Sequence, residues 1–189
     1  MIRRINFFGG AGCGKSTSAS LLFAKMKQDG MSVENIPEYV KKWTYYNRKP
    51  EGWDQVYLFG KQLQNEDLAL RGGFKYIVCD SPLLLAIIYS NIYNFQGGEE
   101  LFSLASKFEL QYPSLNIFLH RGDKKYDTVG RFQTEESAKK IDTTVETYLM
   151  NRNISYTDFS YYDQDKIYQY IKGKLKRNEI LNEKDKGTT

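Results

Sequence analysis

Gly9, Gly14, Lys15 and Ser16 stand in the spacing G-x-x-x-x-G-K-S within the stretch FFGGAGCGKST. Residues of these types at this spacing do one kind of chemistry well, the holding of phosphate groups. Glycines let successive backbone N–H groups turn inward around phosphate oxygens, and the start of a following helix adds partial positive charge. Gly10, Ala11, Gly12, Cys13, Gly14, Lys15, Ser16 and Thr17 are therefore read as the nucleotide-phosphate loop. Lys15 reaches the β- and γ-phosphates, and the Ser16 hydroxyl ligates Mg²⁺. The alternative is an accidental glycine turn. Against it, the loop lies between a strand pattern at Arg4 to Phe8 and a helical pattern from Lys15, the context the motif requires.

A second acidic element is expected near such a loop. Asp80 closes the apolar run FKYIVCD, and an aspartate at the end of a buried strand can hold Mg²⁺ through its water shell. Asp80-Ser81-Pro82 can equally cap a helix starting at Pro82. What receives a phosphate is a separate matter: a kinase needs an acceptor pocket with a carboxylate to orient or deprotonate the acceptor, and an arginine-bearing lid. Glu38, in NIPEYVKKW, follows the second strand at its carboxyl end, the side on which open α/β sheets bind ligands. Its alternative is a solvated loop carboxylate. Trp43, Tyr45, Tyr46, Trp53, Tyr57 and Phe59 follow closely, a cluster that can stack a planar base or fill core between helices.

Arg121, Lys124, Lys125 and Arg131 lie after the fourth strand, punctuated by Gly122 and Gly130. A basic segment over about 121–134 that closes on a triphosphate neutralises developing charge and excludes water. Arg131, just before a helix beginning near Thr134, is the expected catalytic arginine, with Arg121 beside it and Asp127 positioning it or the acceptor. The alternative is a solvated charged loop. His120 ends the fourth strand without a metal-spaced partner and is read as structural.

Short β-rich runs at Arg4 to Phe8, Ser32 to Ile36, Tyr76 to Cys79, Asn116 to Leu119 and Ile154 to Phe159 must position these residues. Helical stretches alternate with them at Lys15 to Gln28, Trp53 to Leu70, Pro82 to Tyr112 and Glu135 to Asn151. Alternation of this kind implies an α/β fold with a parallel sheet and helices on both faces. At 189 residues, 41% hydrophobic and 15% aromatic, the chain can bury one core. A single domain over 1–172 and a charged tail over 173–189 are expected. The net charge of +4 suits a polyanionic ligand but falls short of a dedicated nucleic-acid binder. With no signal-peptide layout and no membrane-length apolar run, the expectation is a soluble, cytoplasmic protein without a membrane partner. A homodimer is compatible with the sequence. Cys13 and Cys79 give no disulfide or zinc pattern and are read as reduced thiols, Cys79 in the core.

The phosphate loop, EYVKKW at Glu38 to Trp43, the helix with Gln62 and Gln64, and DSP at Asp80 together resemble the P-loop nucleoside and nucleotide kinases over roughly Ile5 to Phe159. The nearest types are deoxyribonucleoside kinases, with a Glu-Pro-Val-x-x-Trp stretch after strand two, and nicotinamide-riboside-kinase-like ATPases. Small phage-encoded kinases of nucleosides, nucleotides or modified DNA bases are similar too. The resemblance implies a P-loop three-layer sandwich with a five-stranded parallel sheet of order 2-3-1-4-5, ATP and Mg²⁺, Glu38 as base, and Gln62 or Gln64 as nucleobase reader. Together with the aromatic cluster and the basic segment, this puts the expected acceptor against Glu38, Trp43, Tyr57, Gln62 and Asp127. Two positions depart from the pattern: Tyr39 replaces its proline, and Asp80-Ser81-Pro82 lacks its arginine.

Three functions fit these residues. One is transfer of the γ-phosphoryl of ATP to a nucleoside, nucleotide or related small molecule. Another is the same transfer to a nucleic-acid hydroxyl, at a 5′ end or a hydroxymethylated base, with Lys41, Lys42, Arg48 and Lys49 forming a basic groove. The third is a regulatory ATPase without an acceptor, against which stands the lack of a guanine-reading N-K-x-D stretch.

Overall fold

A computed structural model describes residues 1–123, 126–129 and 131–186, the last five of these as backbone only. Five strands, β1 (Arg4–Phe8), β2 (Val33–Ile36), β3 (Tyr76–Cys79), β4 (Ser114–His120) and β5 (Thr157–Ser160), form one sheet in the order β2-β3-β1-β4-β5. Every neighbouring pair is parallel. The helices are α1 (Lys15–Gln28), α2 (Lys41–Tyr45), α3 (Asp54–Arg71), α4 (Leu83–Ile92), α5 (Gly98–Gln111), α6 (Glu135–Asn151) and α7 (Gln164–Lys186).

Strand residues alternate between two cores because successive side chains leave opposite faces of a sheet. Ile5, Phe7, Val78, Ile117 and Leu119 pack toward α1 and α7, meeting Leu22, Met26, Ile167 and Ile171. Ile77 and Cys79 pack toward α3, α4 and α5, and Phe8 and Phe118 toward α4 and α6. The result is the three-layer sandwich with the kinase-type strand order. No helix among the described residues is long and apolar enough to cross a membrane.

Two elements differ from expectation, the strand at Ile154 and the boundary at Gly173. The run from Ile154 begins as the end of α6 rather than as a strand: Asn153 turns to φ 52°, and the Ile154 amide donates to the Leu149 carbonyl. The strand therefore starts at Thr157. The stretch Pro82 to Tyr112, long enough for one or two helices, holds two, separated by a turn in which Asn94 adopts φ 56°. Finally, the boundary expected at Gly173 falls inside α7. Ile167, Ile171 and Leu175 recur every four residues and bury one face of that helix, and Glu179 accepts from Lys75 at 2.6 Å, so the helix packs on the domain beyond Gly173.

Candidate functional site

The loop after β1 leads directly into α1. Gly14 is the residue before the helix, at φ 103° and with no side-chain cap, so the amides at the helix start remain free for an anion. A Cβ on Gly14 would lie 2.0 Å from the Tyr161 ring at a φ that L side chains rarely adopt, so any other residue here would be strained and would have to displace that ring. Lys15 Nζ donates to the Gly9 and Gly10 carbonyls at 2.7 and 2.8 Å. An ammonium has three donors, so one remains for a phosphate oxygen.

Arg121 and Asp142 hold the loop from behind. Asp142 Oδ1 accepts from the Gly10 amide at 2.5 Å and its Oδ2 from Arg121 Nε at 2.5 Å. Arg121 Nη2 also donates to the Ala11 carbonyl at 3.3 Å and the Ala138 carbonyl at 3.1 Å. Arg121 thus differs from its expected catalytic place: it is absent from the main cleft, and Asp142 balances its charge. Asp142 carried no sequence signal, since a lone aspartate inside a helix is ordinarily solvated. Asp142→Ala should leave a folded protein with a lower Tm and about tenfold weaker ATP binding, because the largely buried Arg121 loses its partner and the loop its anchor. Isothermal titration checks this; unchanged affinity would mean that the anchor is irrelevant to the phosphates.

Register brings the carboxylates together. Ile36 pairs with Cys79 across β2 and β3, and Cys79 with Asn6 across β3 and β1. Two residues past the first pair stand Glu38 and Ser81, and one past the second stands Asp80, at the mouth of the loop. Burial, the largest influence, raises the Asp80 carboxyl above its ordinary range, while the Ser16 hydroxyl, Lys15 and the Glu38 backbone amide pull it down. Asp80 Oδ1 is buried without a hydrogen-bond partner. An orphaned carboxylate oxygen beside a serine hydroxyl fits a hard divalent cation with oxygen ligands such as Mg²⁺. Glu38 is likewise raised above its ordinary value, chiefly by burial and further by Asp80, with Lys15, Lys41 and a hydrogen bond from Ser81 opposing.

Lys15, Ser16, Glu38, Lys41 and Ser81 share a cleft of about 330 Å³. Its walls include Ala11, Gly12, Gly14 to Thr17, Glu38, Tyr39, Lys41, Gln55, Gln62, Tyr89 and Tyr93. Asp127, Val129, Arg131, Phe132 and Gln133 line the same cleft. Arg131 donates to the Asp127 carbonyl, and its guanidinium sits 5.0 Å from the Tyr126 ring. Lys124, Lys125 and Gly130 lie outside the described residues. A smaller side groove of about 200 Å³ runs past Gly14, Thr17, Arg121, Tyr126 and Tyr161.

The aromatic cluster does not build the cleft. Trp43 turns inward from α2, 8% exposed, under the Arg48 guanidinium at 3.8 Å and stacked on Tyr57 at 6.1 Å. Tyr57 bonds the Tyr39 hydroxyl at 2.7 Å outside the cleft wall, Phe59 is core, and Tyr45, Tyr46 and Trp53 face solvent. The short α2 decides this, because its single turn rotates Trp43 away from the site. Gln62 lines the cleft with Nε2 donating to Glu66 at 3.0 Å, whereas Gln64 is exposed and accepts from Lys61. The aromatics that do line it are Tyr39, Phe132 and, stacked at 6.3 Å one turn apart at the C-terminal end of α4, Tyr89 and Tyr93. Tyr89 and Tyr93 are hidden within LLLAIIYSNIY, which reads as a plain core helix. His120 is exposed, edge-on to Phe118 and 3.2 Å from Asp158, away from the cleft. Cys13 and Cys79 are buried free thiols, and burial pushes the Cys79 thiol well up.

A glycine loop capping a helix beside a parallel sheet of order 2-3-1-4-5, with an acidic strand end at its mouth, defines a P-loop nucleotide-binding protein. The sequence matches the model of a family described as AAA domain over residues 4–164, and the chain belongs to that family. No curated protein matches it. Among solved structures, 158 chains match, including the NadR protein in complex with NR, at a TM-score of 0.67 and 16% identity. That similarity covers 89% of this chain and 51% of the other, so the chain spans about half the length of that protein. At such identity the likeness concerns the fold.

Proposed function

We propose that the protein is an ATP-dependent kinase that transfers the γ-phosphoryl group to a hydroxyl of a nucleoside, nucleotide or related small molecule. The observation that carries this reading is Glu38: a carboxylate lifted by burial, within electrostatic reach of Lys15 and Asp80, in a cleft that also has room for an acceptor. The similarity of fold to NadR in complex with NR supports the class of acceptor.

In this reading the loop amides and Lys15 hold the β- and γ-phosphates. Asp80 and Ser16 would hold Mg²⁺, which supplies charge neutralisation on the phosphoryl oxygens when bound. Glu38 accepts the proton of the acceptor hydroxyl as its oxygen bonds to the γ-phosphorus, and the β–γ bridging oxygen leaves with ADP. A carboxyl with a raised pKa is the stronger base for that task. Arg131 stabilises charge on the moving group. Arg131→Ala should lower kcat by roughly 10³-fold with little change in ATP affinity, on the scale of an arginine acting in cis. Parallel losses in both would make it a ground-state clamp instead.

One observation favours a second reading, with the acceptor in nucleic acid. Tyr45, Tyr46 and Trp53, the last 80% exposed, lie in the same stretch as exposed Lys41, Lys42, Arg48 and Lys49, of which Lys41 lines the cleft. Aromatics interleaved with cations suit a single strand. Incubation with labelled ATP and a panel of nucleosides, mononucleotides and modified DNAs separates the readings: label in a small molecule supports the first and label in DNA the second. ATP consumption with no labelled acceptor leaves a regulatory ATPase.

A further inference from the structure

We infer that His120, Glu146 and Asp158 form a binding site for one divalent transition-metal cation of the Zn²⁺ kind, and that the ion ties strand β5 and helix α6 to the end of β4. The site lies outside the cleft and is independent of the phosphoryl chemistry.

Three elements supply the three side chains. His120 is the last residue of β4, Asp158 lies in β5 and Glu146 in α6. Phe118 pairs with Asp158 across the two strands, and strand residues two apart leave the same face, so Phe118, His120 and Asp158 share one side of the sheet. Phe118 packs in a core with Val145 and Leu149, which makes that side the one α6 covers. Glu146 follows Val145 directly, at the rim of the buried stripe of α6. One ligand atom from each of His120, Glu146 and Asp158 lies within 4.8 Å of the other two. The His120 Nε2 is already 3.2 Å from Asp158 Oδ1, although the two residues are 38 positions apart, which is why no metal-spaced motif shows in the sequence.

Charge favours a cation there. The chain has 27 lysines and arginines against 23 acids, yet among the described residues none of those cations ion-pairs with Glu146 or Asp158. Asp158 contacts His120, and Glu146 accepts from the Tyr156 hydroxyl at 3.4 Å. Burial first, then Glu146 and Asp158, raise the pKa of that phenol, so both negative charges act at one point. Two carboxylates this close repel each other, and a divalent ion cancels both charges.

The donor set selects the ion. An imidazole nitrogen with two carboxylate oxygens suits Zn²⁺ or a neighbouring first-row cation, whereas Mg²⁺ and Ca²⁺ take oxygen ligands. Three protein ligands leave a fourth position for water, and His120 and Asp158, 52% and 54% exposed, are open to it. At bond lengths of about 2.0 Å, ligands of a tetrahedral ion stand about 3.3 Å apart, so the widest gap closes by about 1.5 Å, which carboxylate side chains reach by rotation. The tie has something to hold: β5 is a four-residue strand at the edge of the sheet, paired with β4 alone.

The test uses the full chain without a purification tag, with ZnCl₂ added in excess MgCl₂ to compete at Ser16 and Asp80. His120 is the only histidine, so its imidazole protons report by NMR without ambiguity. One equivalent of Zn²⁺ should shift them to saturation, Mg²⁺ alone should leave them in place, and Tm should rise with Zn²⁺ because the ion binds the folded chain. Asp158→Asn and Glu146→Gln, which keep side-chain size and remove a charged ligand, should each weaken Zn²⁺ binding about tenfold or more by titration calorimetry and abolish the rise in Tm. His120→Gln should do the same and serves if a carboxylate variant does not fold. Imidazole protons unmoved by Zn²⁺, an equal shift with Mg²⁺, Zn²⁺ affinity unchanged in either carboxylate variant, or a wild-type Tm indifferent to Zn²⁺ would overturn the inference.

Discussion

Lys15→Ala will abolish phosphoryl transfer, by roughly 10³-fold or more, while the protein remains folded. Three donors converge at its ammonium: two already hold the Gly9 and Gly10 carbonyls, and the third is free for the triphosphate. Removing it withdraws a full positive charge from the place where negative charge collects during transfer, an effect larger than the loss of one neutral oxyanion donor. The same charge lowers the carboxyls of Glu38 and Asp80, so its loss drives both further toward their protonated forms. Two defects therefore compound: weaker phosphate binding and a base that ionises at higher pH. Circular dichroism and ATP titration separate them from unfolding. Wild-type turnover in this variant would remove the loop from the chemistry.

Glu38→Gln will keep MgATP binding and slow acceptor phosphorylation by about 10² to 10⁴-fold, the range of a positioned general base. The lower end is expected, because a loose transition state demands little early deprotonation. The pH profile adds a second readout. Burial raises Glu38 above 4.5, so the wild-type rate should fall on the acid side as pH drops through that raised value, and the glutamine variant should lose this limb. Stability follows the same group with opposite consequence. Between 4.5 and its raised value the folded chain binds more protons than the unfolded chain, so the Glu38 contribution to stability declines as pH rises through that window. Glu38→Gln should therefore melt at a higher temperature than wild type at neutral pH while being less active. Full acceptor phosphorylation by this variant would sink the assignment and turn attention to Asp80 and Asp127.

The phosphate loop was legible because its geometry is local. The residues from Gly9 to Thr17 are contiguous, their glycines permit the turn, and the helix they open supplies the rest, so sequence spacing and spatial arrangement coincide. The alternation of strands and helices was legible for a related reason: parallel neighbours require a crossover of helical length between them. Even α7 carried a signal, in Ile167, Ile171 and Leu175, but the charged residues interleaved with them concealed one buried face.

The acceptor side was decided by tertiary structure. Glu38 meets Asp80 because β3 inserts between β2 and β1 in a particular register, a pairing between residues more than forty positions apart in the chain. Trp43 and Tyr57 have the chemistry of a base platform, yet α2 turns one inward and leaves the other bonded to Tyr39. Tyr89 and Tyr93 have the appearance of core, yet α4 faces them into the cleft. Arg121 is drawn behind the loop by Asp142, a residue of α6 that nothing nearby in sequence distinguishes. Residue type and local spacing determine what a segment can do. Which segments face one another depends on the packing of the whole sheet, and that packing leaves no local pattern at the residues it brings together.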